Sequence, residues 1–409
     1  MPVAARLLPS LLLVLTAAAA VAQEEAQWLK EARARENQDT LAYPIKSQDG
    51  FVSAKIMGKA QGEMIEEEDS YAISLDIGSQ APVNCEVIVG GFDLAAILRI
   101  TAELTFQEAN PSQGKIEQRA IESVDAGVFG SAPYIAVNWL YRVHDGEAAR
   151  VGGFKQIAML KDGHGLYCAH LDLGYYRSFQ NVARTLAETA TFAKADSNPY
   201  FTEISTATLA GARVGVALVT IERDSDGDSK LMSSTALILP TSPNSLPTQD
   251  STDVQWIRPD GSLINAMQIV SSNGELETNL QLSPGEDATW LVKGDFKGKA
   301  MDEVIASDKA PVTWIEQAQA RRKIFGRKDA KGTELHALQW TATDPTRFMD
   351  SATTILSVID AEHLQAREEL GGISVKHVLD KSTGMPSKSV IAVGAQSLEL
   401  QRVYIKGTF

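Results

Sequence analysis

The sequence predicts an α+β protein: two domains, each a mainly antiparallel sheet with a few packed helices. Three observations carry this. Short runs alternate apolar and polar residues, turn sequences separate most of them, and one Pro/Ser-rich segment divides the chain. With 44% hydrophobic and 22% charged residues, the composition is that of a folded globular chain.

The chain opens with MPVAARLLPSLLLVLTAAAAVAQ, where Arg6 precedes an apolar stretch and Ala20-Val21-Ala22 stand before Gln23. A charge, a short apolar core and small residues before a polar one read as a cleavable secretory signal over residues 1–22. The apolar part is shorter than the roughly 20 residues a spanning helix needs. Removing it leaves 387 residues (409 less 22), room for two domains of ordinary size. Residues 23–44 form a charged N-terminal segment, with a short helix whose Trp28, Leu29 and Ala32 share one side.

A first domain is expected over residues 45–239. Residues 71–77 and 83–89 alternate as half-buried strands do. Asp93 is placed to cap a helix carrying Leu94, Ile97, Leu98 and Leu104 on one stripe. Strands follow at 134–143, 154–160 and 166–173, then a helix capped by Ser178 with Phe179, Val182, Ala183 and Leu186 inward. Three more strands end the domain, two of them flanking the turn RDSDGDS. Its Asp224, Asp226 and Asp228 lack the glycine and glutamate spacing of a calcium loop. Residues 240–251, PTSPNSLPTQDS, hold three prolines and no apolar periodicity, a linker composition.

The second domain, residues 252–409, begins as a meander of four strands separated by PDG, SNG and SPGED. A helix is expected over 312–325. Asp344-Pro345 has the favoured order for starting another, with Phe348, Ala352, Ile355 and Ile359 inward. Strands near 373–379, 389–393 and 398–405 complete the chain.

The two cysteines left after signal removal are Cys85 and Cys168. In an oxidising compartment an isolated pair reads as a disulfide. Cys168 lies in GHGLYCAHLD, residues 163–172. Period-two alternation puts Cys168, His170 and Asp172 on one strand face, the one that reads as wetter, with His164 at the turn. A thiol, imidazoles and a carboxylate are the parts of a nucleophile with its base, or of a zinc or copper site. Successive members on one extended strand stand about 6.6 Å apart and point in parallel, whereas both kinds of site need convergence. The bridge is therefore the expected role, and a metal site of His164, Cys168, His170 and Asp172 is the alternative.

Arg321, Arg322, Lys323, Arg327 and Lys328 form the one concentrated positive patch, a candidate anion-binding surface. The competing role is to complement the dipole of a helix that ends at Gly326. A net charge of −14 argues against a general nucleic-acid binder, and no nucleotide, hydrolase or zinc-protease motif points to a cofactor. None of the ten asparagines opens a glycosylation acceptor, which leans toward a bacterial source. These readings converge on an exported, periplasmic or secreted, non-catalytic binding or interaction protein of the cell envelope. Its partner would be an envelope component or another protein. The alternative is an envelope hydrolase or metal-dependent protein using the Cys/His/Asp face.

Overall fold

A computed structural model of the protein describes residues 27–107, 115–145, 148–194, 198–394 and 396–409; the expected signal segment lies outside them. Contacts gather the chain into two compact units. The first holds the described part of residues 14–198 with 238–248, and the second holds residues 199–237 with 249–409.

In chain order the first unit carries α1 (Gln27–Arg33), β1 (Ala42–Lys46), β2 (Val52–Met57), β3 (Lys59–Ala60), β4 (Ile65–Glu66), β5 (Ser70–Asp76) and β6 (Val83–Ile88). Then come α2 (Leu94–Gln107), β7 (Lys115–Phe129), β8 (Ala132–Asp145), β9 (Ala148–Lys161), β10 (His164–His170), α3 (Tyr176–Thr189) and β11 (Thr191–Phe192). An eight-stranded antiparallel sheet runs β3-β5-β6-β10-β9-β8-β7, with β4 also on β5, and a three-stranded sheet runs β1-β2-β11.

Both faces of the large sheet are covered. One face supplies Val83, Cys85 and Val87 from β6 and Leu166 and Cys168 from β10 to a core shared with Phe179, Val182 and Leu186 of α3 and Val52 and Ile56 of β2. On the other face α2 lies across β8 and β9. The Phe106 ring meets Trp139 and Phe154 edge-on at 5.4 and 5.8 Å, and the Thr101 hydroxyl donates to Gln156 Oε1 at 2.8 Å. The two helices that follow the cysteine-bearing strands thus sit on opposite faces.

Local details differ from the sequence reading. Ser178 does not cap α3; it lies inside the helix. The N-terminus is held instead by Glu36, whose carboxylate accepts from the Arg177 and Ser178 amides at 2.9 and 2.8 Å and from the Ser178 hydroxyl. A carboxylate there satisfies amides that have no partner within the helix and complements the helix dipole. On α2, Leu104 points outward and is 49% exposed, while Ala95, Leu98 and Ala102 are buried. Helix α1 buries no residue, yet the segment after it is fixed through Glu36 and through the Tyr175 amide, which donates to the Arg35 carbonyl.

The second unit is a fourteen-stranded antiparallel sheet. Its strands begin with β12 (Phe201–Leu209), β13 (Ala212–Arg223), β14 (Ser229–Ile238), β15 (Thr248–Ile257), β16 (Leu263–Ser272), β17 (Glu275–Pro284), β18 (Thr289–Phe296) and β19 (Lys299–Ala306). After α4 (Trp314–Arg322) they resume with β20 (Glu334–Gln339), β21 (Met349–Val358), β22 (His363–Leu370), β23 (Ile373–Asp380), β24 (Pro386–Val393) and β25 (Gln396–Lys406). Each run is a meander, and the two are joined where β12 pairs with β25. Helix α4 starts in a capping box, with Thr313 and Glu316 satisfying each other's amides. Its Trp314, Ile315 and Ala318 pack on Phe201, Val219, Ile221 and Leu231.

The α+β expectation is corrected. The structure is 56% strand and 12% helix, almost all of it in large antiparallel sheets, and four helices among the described residues do not form a packed layer of equal weight. The helix expected after Asp344-Pro345 is also corrected: Met349–Val358 is strand β21. Its buried positions are Ser351, Thr353 and Ile355, a period of two, and the β-branched Thr353, Thr354 and Ile355 suit a strand. Within 240–251, Ser242 and Ser245 form an isolated bridge, the Ile121 amide of β7 donates to the Pro243 carbonyl, and β15 has begun by Thr248.

Candidate functional site

Strand β10 enters through a tight turn in which Asp162 and Gly163 both take positive φ, 50° and 86°. Gly165 then has to be glycine, because a Cβ there would stand 1.8 Å from the Phe92 ring. Cys168 and Cys85 are direct cross-strand partners on β10 and β6, with Cα atoms 4.1 Å apart, and they form a disulfide. The sulfurs lie in the core, so the face expected to be wetter is the deeper one.

The other reactive-looking residues of the stretch are committed to structure. His164 is fully buried between Phe51 and Phe192, at 5.3 and 4.4 Å between ring centres. The Gly90 amide donates to its Nδ1 at 3.2 Å, which leaves Nε2 protonated to donate to the Lys194 carbonyl at 3.0 Å. His170 stacks near Phe179, and its Nε2 lies 3.0 Å from Ser79 Oγ and 3.2 Å from the Ala81 carbonyl. Burial, helped by the nearby Lys155 charge, pulls its pKa down to about 4, so it is neutral near pH 7. Asp172 accepts from Arg35 at 3.3 Å and from the Gly174 amide at 3.0 Å. His164 and His170 are six positions apart on one strand, about 20 Å. Among the described residues no three His, Cys, Asp or Glu side chains converge as metal ligands.

Sequence reasoning missed Lys155 of β9, which is 1% exposed opposite His170. Its amine donates to the Asp172 carbonyl and sits 4.9 Å from the centre of the Tyr176 ring. Burial pulls its pKa down to about 8, against the pull of Asp172, Glu122 and Glu36. A lysine within a strand that also carries Arg150 and Lys161 gives no warning of this in sequence; only the cross-strand pairing does.

The cationic segment after α4 is divided by the fold. Arg321 turns inward, and its guanidinium contacts Glu368 Oε2 at 3.1 Å and Thr353 Oγ1 at 3.3 Å with both charges buried. It is therefore withdrawn from the expected surface patch. Gln339 donates to the second Glu368 oxygen at 3.0 Å, and His377 Nε2 lies 3.3 Å from the first. Burial alone would raise the Glu368 pKa, but Arg321, His377 and Gln339 hold it at about 2. Arg327 closes on Asp329 in two bonds of 3.1 and 2.8 Å, and Arg322 donates to the Phe409 carbonyl. Lys323 and Lys328 remain exposed.

The feature that sequence reasoning missed entirely is an open groove of about 840 Å³ in the first unit, at the corner where β7 begins, β8 ends and β9 begins. The strands contribute Gln118, Arg119 and Ala120, then Leu140, Tyr141 and Arg142, then Val151. Phe106 at the end of α2 and Pro243-Asn244 supply the rest of the wall. The Arg119 guanidinium lies 5.2 Å from the Phe106 ring centre and 5.9 Å from that of Trp139. Neither Arg119 nor Arg142 is bonded to a carboxylate among the described residues. Burial raises the Tyr141 pKa, so its hydroxyl stays protonated and able to donate. Isolated arginines on strands read in sequence as solvated surface; β-pairing sets Arg119 beside Tyr141 on the face under α2 and Arg142 beside Gln118 and Val151 on the other.

These features define an antiparallel β protein of two units, the first stapled by a disulfide and bearing an open groove with two arginines among its described lining residues. No family description matches the chain, and no curated protein matches it. Similar solved structures include a β-barrel-like protein of a domain of unknown function, DUF1849, from Brucella abortus. It is 12% identical over 51% of this chain and 97% of that one, at a TM-score of 0.35. A DUF1089 family protein from Pseudomonas aeruginosa is 18% identical over 48% and 93%, at a TM-score of 0.24. No helix among the described residues is long and apolar enough to cross a membrane.

Proposed function

We propose that the chain is an exported, non-catalytic binding protein of the cell envelope, and that its ligand occupies the groove beside β7. The observation that carries this is a contrast in commitment. The thiols, imidazoles and carboxylate that would serve a hydrolase or a metal site are engaged in internal bonds, whereas the groove's guanidinium groups have no carboxylate partner among the described residues. The signal-like first 22 residues and the disulfide support export, because such bridges persist in oxidising compartments.

Expression in a bacterial host, followed by osmotic-shock fractionation, intact mass and metal analysis, tests the reading. The expected product is released by the shock, begins at Gln23, and is lighter by two protons than its reduced form. A full-length chain with two alkylatable thiols in the cytoplasmic fraction would overturn export. Stoichiometric zinc or copper in the purified protein would overturn the non-catalytic reading.

A further inference from the structure

The second unit turns polar side chains inward, and three of them meet at a small cavity. Asp253 of β15, Gln268 of β16 and Gln339 of β20 line a space of about 20 Å³, whose apolar wall includes Leu263, Ala266 and Trp340. All three polar residues are buried, at 7%, 3% and 3% exposure. Asp253 and Gln268 are direct cross-strand partners, and Gln268 reaches across to the chain beside Gln339 by donating to the Trp340 carbonyl at 3.2 Å. One water-sized guest needs roughly 10–15 Å³, so the space admits one.

The two glutamines are oriented by the bonds their nitrogens make. Gln339 Nε2 donates to Ser351 Oγ at 2.7 Å and to Glu368 Oε1 at 3.0 Å. Glu368 is ionised and held by Arg321, so exchanging the oxygen and nitrogen of Gln339 would set two acceptors against each other. The Trp340 carbonyl fixes Gln268 in the same way. Both Oε1 atoms are therefore acceptors, and both are buried with no hydrogen-bond partner among the described residues. Leaving each unmet would cost about 1–3 kcal/mol. Other donors on the wall are engaged elsewhere: the Trp340 indole N–H by the Pro345 carbonyl at 3.1 Å, and the Val312 amide by the Leu338 carbonyl.

A wall of this kind suits a hard cation. Carboxylate and amide carbonyl oxygens are ordinary calcium ligands, at about 2.3–2.6 Å. A water has two hydrogens to share among Gln268, Gln339 and the Asp253 carboxylate, whereas a cation meets every one of them. We propose that the cavity holds a single calcium ion, with Asp253, Gln268 and Gln339 as side-chain ligands, which ties β15 and β16 of one meander to β20 of the other. With one carboxylate its affinity falls in the weak class, with Kd roughly 10⁻⁴–10⁻³ M. The site lies in the second unit and is independent of the groove.

Terbium is the probe, because it replaces calcium and its emission is sensitised by a nearby indole, here Trp340. In the mature, oxidised full chain, emission excited through tryptophan should saturate at one equivalent and be displaced by calcium, and calcium should raise the thermal midpoint. Asp253→Asn, close to isosteric, should weaken binding of both ions by about tenfold or more. Trp340→Phe should lose most of the emission yet keep the calcium-induced rise, which separates a lost sensitiser from a lost fold. If the unaltered protein shows neither displaceable terbium nor a calcium-dependent midpoint, the cavity holds water and the proposal fails. It fails equally if terbium binds but neither Asp253→Asn nor Trp340→Phe changes its emission, because the ion then sits on the acidic surface.

Discussion

In β10 and just beyond it, His164, His170 and Asp172 each have two partners inside the first unit, whereas at the corner of the same sheet Arg119 and Arg142 have no carboxylate partner among the described residues. By residue type the histidines and the aspartate suggest reactivity, while the two arginines suggest nothing beyond ordinary surface. A polar side chain buried in a two-sided sheet must be satisfied from within, because an unmet donor or acceptor costs about 1–3 kcal/mol. His164 and Asp172 are engaged in this way, and His170 is engaged at Nε2, while its buried Nδ1 has no partner among the described residues. Chemistry-bearing residue types therefore mark β10 mainly as a stabilising strand, and the arginines without a carboxylate partner lie elsewhere.

The largest test of this contrast removes the staple. Cys85→Ala/Cys168→Ala opens a loop with a sequence separation of 83. The chain-entropy argument puts the loss at about 4.5 kcal/mol. Urea midpoints of the oxidised wild type and the double variant measure it, and an unchanged midpoint would break the structural reading of β10. Committed and uncommitted arginines should then separate. Arg321→Leu leaves Glu368 buried without its cation and should cost about 4 kcal/mol. Arg119→Gln should cost less than about 0.5 kcal/mol. Equal losses in thermal denaturation would erase the distinction.

Acid sharpens the same comparison. His170 is held neutral in the fold with a pKa of about 4, against an ordinary value of 6.5. As pH falls below 6.5 the unfolded chain takes up a proton that the folded one refuses. The His170 contribution to stability should therefore drop by about 3 kcal/mol between pH 6.5 and 4, against a contribution of opposite sign from Glu203, whose pKa burial raises to about 7. His170→Gln should remove that contribution, leaving in the same window those of Glu203 and of His377, which burial also holds below its ordinary value, and leaving the lower window unchanged. There Glu368, with a pKa of about 2 against 4.5, loses its contribution as pH falls from 4.5 toward 2. A modest effect is expected at α3: Glu36→Ala removes the carboxylate that meets the Arg177 and Ser178 amides and should cost about 1 kcal/mol, with faster amide exchange at both positions.

Much of the hairpin framework was legible in the sequence. The turn before β17 is one case: Asn273 and Gly274 both take positive φ, at 55° and 79°, as the turn chemistry of SNG implies. The bridge between Cys85 and Cys168 was legible too, from compartment and cysteine count. The proportion of strand was not, because strands of the second unit turn polar residues inward. Ser351 and Thr353 of β21, Glu368 of β22, His377 of β23 and Ser389 of β24 are all buried. They hide the apolar alternation by which strands are recognised. Covering on both faces hid β10 in the same way, since Tyr167 and Cys168 on opposite sides are both buried. The groove had no linear signature at all: its wall is assembled from positions separated by a hairpin, with Arg119 beside Tyr141 and Arg142 beside Gln118 through the register of β7 with β8.

Hydrogen–deuterium exchange of the oxidised protein, with and without saturating 1-anilinonaphthalene-8-sulfonate, tests the central contrast most directly. Slower exchange confined to residues 118–120 and 140–142, with residues 164–172 unchanged, is the predicted result. Slower exchange within 164–172 and none at the β7–β8 corner would contradict it.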